Sequence, residues 1–180
     1  MDHNPAGPRA QDDARAALAA LLPQLRAFAR FLAGSRAEAD DLVQEALLRA
    51  LRAAEEGRLP VAPDGCGPSL RPWCLSVIRN VFHEQLRARR RETLHRRNGA
   101  LDAQPLPPPQ DGHGTLSDLT QGLAALPPLL REALVLVGAE GLSQEEAAAI
   151  CGVPVGTMKA RVSRARRQLA AAMGREHARP

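Results

Sequence analysis

Residues 141–173 read "GLSQEEAAAICGVPVGTMKARVSRARRQLAAAM", and this stretch decides the fold of the C-terminal third. Ser143 with Glu146 three residues on forms a capping box, which starts a helix at residue 144. That helix is short, 144–151, and Gly152-Val153-Pro154 breaks it before a second helix over about 155–173. A capped short helix, a Gly-containing turn and a second helix make the helix-turn-helix pattern. In the second helix Met158, Val162, Ala165 and Leu169 step by four, three and four, defining a buried stripe. The opposite side carries Thr157, Lys159, Arg161, Arg164 and Gln168, flanked by Arg166 and Arg167. A helix about 10–12 Å across fits the major groove, its first turns meeting base edges and later ones phosphates. Thr157, Lys159, Arg161 and Arg164 are therefore candidates for the groove, and Arg166 and Arg167 for the DNA backbone. A solvated basic helix would explain the arginines alone. Capping box, turn and one-sided charge together favour DNA.

The whole chain has 180 residues, room for one ordinary domain or two small ones. Aromatic residues are only 2%, while Ala, Leu and Arg dominate, a composition for helices packed through aliphatic side chains. The net charge of +4 is compatible with a polyanion partner. Lys159 is the single lysine; arginine, with its planar fork of donors, supplies the rest of the positive charge. Cys66, Cys74 and Cys151 form no CxxC pair, and Cys74 and Cys151 read as small buried thiols. No signal core and no stretch of about 18 apolar residues is present, so a cytoplasmic protein with no membrane partner is expected.

Residues 1–13 are polar and aperiodic and read as a disordered N-terminus. Leu18, Leu21, Leu22, Leu25, Phe28, Ala29 and Leu32 then define a helix that Gly34 stops. Ser35 and Glu38 open a second helix, with Leu42, Val43, Ala46, Leu47, Ala50 and Leu51 expected inside. After a Pro/Gly-rich loop over about 58–70, a third helix begins at Arg71. It is expected to bury Trp73, Val77, Ile78, Val81 and Leu86 before the basic run "RARRRE" at 87–92. Residues 98–115 are a Pro/Gly-rich linker. Beyond it, Ser117 is read as the cap of a short helix to Leu126, and Pro128 opens another, with Leu129, Ala133, Leu136 and Val137, that ends at Gly141. The expectation is an all-α chain: a helical domain over 14–97, the linker, and a helix-turn-helix domain over 116–175.

Three stretches taken together resemble one family. "LPPLLREALVLVGAEGLSQEEAAAICGVPVGTMKARVSRARRQL" resembles region 4 of sigma-70 family RNA polymerase sigma factors. "RAEADDLVQEALLRAL" resembles region 2.2, and "LRPWCLSVIRNVFHEQLRARRRE" resembles regions 2.3–2.4. Their order, with no region 3 between, resembles the extracytoplasmic-function (ECF) group. The wording "LVGAEG" and "IRNVFHEQLRARRRE" is similar to its general-stress-response branch in alphaproteobacteria. The resemblance implies core RNA polymerase (its β′ clamp and β subunits), promoter DNA and an anti-sigma factor as partners, with no cofactor and a monomer when free of them. It implies polymerase docking by Asp40, Asp41, Gln44 and Glu45. It implies −10 element contact by Arg79, Asn80, His83, Arg87 and Arg90, which can share one helix face. The −35 element falls to Thr157, Lys159, Arg161, Arg164, Arg166 and Arg167.

Rival classes make different demands. A dimeric helix-turn-helix repressor needs a dimerisation surface, which gel filtration would reveal. A sigma-like mimic that captures an anti-sigma factor needs a receiver domain after the sigma-like part, and the chain stops seven residues beyond Met173. An enzyme needs a constellation that is missing: there is no Gly-rich phosphate loop and no HExxH, and the histidines lie far apart. The spacings of Cys66, Cys74 and His83 match no common zinc pattern, so no metal is expected.

Overall fold

Helix formers dominate the sequence, and seven α-helices with no strand result among the residues described. The computed structural model describes residues 8–33, 35–60, 70–97 and 115–176. The helices are α1 (Pro8–Leu32), α2 (Arg36–Glu55), α3 (Leu70–Arg97), α4 (Thr115–Ala125), α5 (Pro128–Gly138), α6 (Gln144–Cys151) and α7 (Val155–Glu176). Gly34, Cys66, most of the 58–70 loop and nearly all of the 98–115 linker lie outside the described residues. The chain falls into two compact units. One comprises Met1–Leu22 and Asp41–Pro108, the other Pro23–Asp40 and Pro109–Pro180. The division inside α1 coincides with Pro23, whose ring removes one N–H from the helix ladder.

α1 begins at Pro8, within the stretch read as disordered. Those first turns are polar, and a helix already nucleated by its apolar stripe extends at little further cost. Ser35 Oγ accepts from Glu38 N–H at 3.2 Å, as its capping position requires.

In the first unit Leu18, Leu42, Val43, Ala46, Ala50, Ala53, Ala54, Cys74, Leu75, Ile78 and Val81 are buried. On α2 this corrects the expected stripe. Leu47 and Leu51 are only half-buried, and Leu48 is 50% exposed. The alanines at 46, 50, 53 and 54 take the inward side instead; in an Ala/Leu-rich helix the 3.6-residue period allows more than one stripe. On α3 the inward side is Cys74, Leu75, Ile78 and Val81, which leaves Trp73, Val77 and Leu86 half-exposed rather than in the core.

In the second unit α7 packs against α4, α5 and α6. Met158, Val162 and Ala165 are buried, as the four-three-four spacing predicts, and Leu169 is half-buried. A Cβ on Gly122 would lie 2.7 Å from Leu169 Cδ1, so the glycine lets α4 approach α7 closely. Pro128 is at the first position of α5, but the helix ends at Gly138. Gly141, with φ +67°, lies in the turn beyond it, so this glycine serves the loop and not the cap. Leu129 is 44% exposed, Val137 half-buried, and Leu130, Ala133, Val135 and Leu136 form the buried side. α4 starts at Thr115, so Ser117 lies inside its first turn; one-residue signals are weakest at helix ends.

Two buried polar groups tie this unit together. Arg131 Nη1 donates to Leu32 O at 2.8 Å, and Nη2 donates to Ala124 O and Leu126 O at 2.5 and 3.2 Å. These carbonyls belong to the ends of α1 and α4, where no intrahelical donor remains. Burial lowers the pKa of this guanidinium from its ordinary value. Glu132 is fully buried and accepts the Cys151 thiol at 2.6 Å, joining α5 to the end of α6.

Candidate nucleic-acid interface

The α6–α7 corner is built by local signals. Ser143 Oγ accepts from Glu146 N–H at 3.1 Å, and Glu146 Oε2 accepts from Ser143 N–H at 2.8 Å, completing the capping box. Gly152 ends α6 in the left-handed region at φ 62° and ψ 39°, a conformation that favours glycine. Pro154 O then accepts from Thr157 and Met158 N–H at 2.9 and 3.1 Å, which starts α7.

The apolar side of α7 faces inward, and its basic side faces out. Lys159, Arg164, Arg166 and Arg167 are exposed, and no salt bridge among the described residues involves them. Arg164 Nε donates to Ala160 O at 3.3 Å, which lays the side chain along the helix. Thr157 and Arg161 are half-buried. Arg161 Nη1 is buried with no hydrogen-bond partner among the described residues, so this guanidinium leans partly on the protein. Ser163 is also exposed, one turn from both Lys159 and Arg167. Helical spacing alone would have found it; attention to charge passed over it.

On α3, Asn80, Arg87 and Arg90 are exposed, while Arg79 and His83 are half-buried. Arg79 Nη1 donates to Asn80 Oδ1 at 3.3 Å. The Phe82 and His83 rings meet edge-on, with centroids 5.4 Å apart. On α2, Asp40, Asp41 and Gln44 are exposed and Glu45 half-exposed, with Leu48 beside them.

Reasoning from sequence missed one cluster. Arg49 Nε donates to Glu45 Oε1 at 2.8 Å, one turn back on α2. Its Nη1 and Nη2 donate to Glu84 Oε1 and Oε2 on α3, at 3.0 and 2.7 Å. The Glu84 hydrogen bond, followed by that of Glu45, raises the Arg49 pKa further. The Arg49 hydrogen bond in turn holds the Glu84 carboxyl below its ordinary range, with Arg87 adding to the effect. Burial pushes the Cys74 thiol up to about 11. Among the described residues no group of three or more His, Cys, Asp or Glu could hold a metal ion. None of their helices is long and apolar enough to cross a membrane.

Residues 18–92 match the model for sigma-70 region 2, and residues 116–169 match that for sigma-70 region 4. The chain is 42% identical over 160 residues to the ECF RNA polymerase sigma factor EcfG of Rhodopseudomonas palustris (strain TIE-1), covering 89% of this chain and 84% of the relative. It is 38% identical over 135 residues to the ECF RNA polymerase sigma factor SigC of Mycobacterium tuberculosis (strain CDC 1551 / Oshkosh), covering 74% of this chain and 69% of the relative. Among solved structures it is similar to the sigma factor RpoE from Bartonella quintana, which was crystallised in complex with the anti-sigma factor NepR. The TM-score there is 0.72 at 37% identity, over 90% of this chain and 97% of that one. With both sigma regions matched in order on an all-helical chain, the protein belongs to the ECF group of sigma-70 family RNA polymerase sigma factors.

Proposed function

We propose that this sigma factor docks on core RNA polymerase through the outward side of α2, reads the −35 element with α7 and meets the −10 region with α3. Asp40, Asp41, Gln44 and Glu45 supply the docking rim, where charged groups set orientation and rate more than raw affinity. Lys159 and Arg164 reach the duplex groove with Ser163 between their turns, and Arg166 and Arg167 follow the phosphates. Thr157 and Arg161 stand at the start of the same face. Arg79, Asn80, His83, Arg87 and Arg90 line the −10 side of α3, and half-exposed Trp73 offers a flat surface to an unpaired base. The chain directs the chemistry of polymerase and performs none itself, and it works in the bacterial cytoplasm.

The observation that carries this reading is the basic side of α7, held outward by a complete capping box and a buried apolar stripe. An anti-sigma protein is inferred as its regulator, supported by the likeness to a sigma factor solved with one. The test is direct. Added to sigma-free bacterial core polymerase, the full chain gives promoter-specific transcripts, and an anti-sigma protein of the NepR kind suppresses them. Binding to core without start-site choice would refute the proposal.

A further inference from the structure

The cluster of Glu45, Arg49 and Glu84 is not explained by folding alone. All three side chains are substantially exposed, Arg49 at 36%, Glu45 at 41% and Glu84 at 47%. An isolated pair this exposed adds little stability, and a bidentate pair in a network somewhat more. Yet the geometry is highly ordered. A guanidinium has five N–H donors in a rigid planar fork, and here the fork grips both oxygens of Glu84 while Nε takes one oxygen of Glu45. A lysine, as a point charge on a flexible stem, lacks the planar fork that grips both oxygens of Glu84.

The two carboxylates stand on different helices with different tasks in the proposed function. Glu45 is in the docking rim of α2. Glu84 is on α3, within the field of Arg87 one turn on, and Arg87 belongs to the −10 side. Holding Glu45 Oε1 to Arg49 removes side-chain freedom that docking would otherwise have to freeze, and leaves Oε2 for an outside donor. The fork on Glu84 spans 35 residues of sequence and fixes α3 relative to α2.

We propose that Arg49 is a positioning residue, fixing Glu45 for polymerase docking and, through its fork on Glu84, setting α3 so that a docked chain presents its −10 face in register. The proposal rests on the function proposed above and is tested with the full chain on core polymerase. Core affinity is measured by equilibrium binding. Strand opening is measured separately, by permanganate reactivity of promoter thymines with every variant at saturating concentration. Arg49→Met lowers core affinity several-fold and also lowers opening at saturation. Glu84→Gln, close to isosteric, lowers opening while core affinity stays near wild type, because Glu45 keeps its partner. The double variant Arg49→Glu with Glu84→Arg rebuilds the bridge between the helices but places two glutamates one turn apart on α2. It recovers opening and not core affinity.

The unfolding midpoint of each free variant stays close to wild type, which separates positioning from loss of fold. If Arg49→Met unfolds the chain, Glu84→Gln and the swapped pair still decide the matter. Single variants that match wild type in both readouts, or a folded swap that fails to recover opening, overturn the role of Arg49 alone. A wild-type chain that gives no promoter-specific transcript overturns the function itself, and this proposal with it.

Discussion

The basic side of α7 and the α2–α3 pair treat charge in opposite ways. On α7, Lys159, Arg164, Arg166 and Arg167 stand exposed with no ion pair among the described residues, and Arg164 bonds to a carbonyl of its own helix. On α2 and α3, Arg49 is paired with both Glu45 and Glu84. Crowded like charges repel, and that cost is relieved when a polyanion arrives and its counterions are released. A paired cluster has little left to offer a polyanion; what it gains is fixed geometry. The open face should therefore answer to salt and to truncation of single arginines, and the tied face to the loss of either partner.

The largest effect falls on what holds the open face outward. Met158 is fully buried on the stripe of α7, and Met158→Ala should cost about 2–5 kcal/mol in chemical denaturation. Binding to −35 duplex should fall with it, while binding to core polymerase should not. Next comes the face itself. Arg164→Ala should weaken the specific duplex by about 1–3 kcal/mol against a scrambled one. Arg166→Ala or Arg167→Ala should weaken both duplexes alike and reduce the salt slope by about one. Arg161→Ala should fall short of Arg164→Ala, since its Nη1 already turns toward the protein. Equal losses at Arg161, Arg164 and Arg166 would erase the division between base readers and phosphate contacts.

The cap behind that helix comes third. Ser143→Ala removes one half of the capping box and should cost about 0.5–2 kcal/mol, read from the thermal midpoint. This residue also marks how far the sequence could be read. Ser143, Glu146, Gly152 and the spacing of Met158, Val162 and Ala165 act within a few residues of one another, so the cap, turn and buried stripe of the α6–α7 corner are legible in the sequence alone. Ser35 with Glu38, and Pro128 at the start of α5, were legible for the same reason.

What escaped was set by distant partners. Which side of α2 turns inward depends on what packs there, so Leu47 and Leu51 came out half-exposed where the periodicity put them inside. Trp73 shared the apparent stripe of Val77 and Val81 but lies partly open, because Cys74 and Leu75 take the inward side. Arg131 reaches a carbonyl 99 residues away and Arg49 a carboxylate 35 away. In sequence each is one arginine among many. Helical spacing groups the candidate DNA contacts of α7 on one side, and only the structure separates exposed Lys159 and Arg164 from half-buried Thr157 and Arg161.

The smallest effect is the one that best separates the two faces. Arg49, chiefly through its hydrogen bond, holds the Glu84 carboxyl below its ordinary range. With the folded-state pKa lowered, the folded chain binds the proton less readily than the unfolded one. The contribution of the pair is then complete above the unfolded carboxylate value, about 4.3. It is lost as pH falls through the lower folded value. Wild type should exceed Glu84→Gln by no more than about 1 kcal/mol at neutral pH, given the exposure of the pair. The two should converge in acid, as measured by urea denaturation across that window. Duplex binding by the α7 face should follow salt and not the titration of Glu84. A difference between wild type and Glu84→Gln that persisted in acid would mean that packing, not charge, joins α2 to α3, and the contrast with α7 would lose its physical basis.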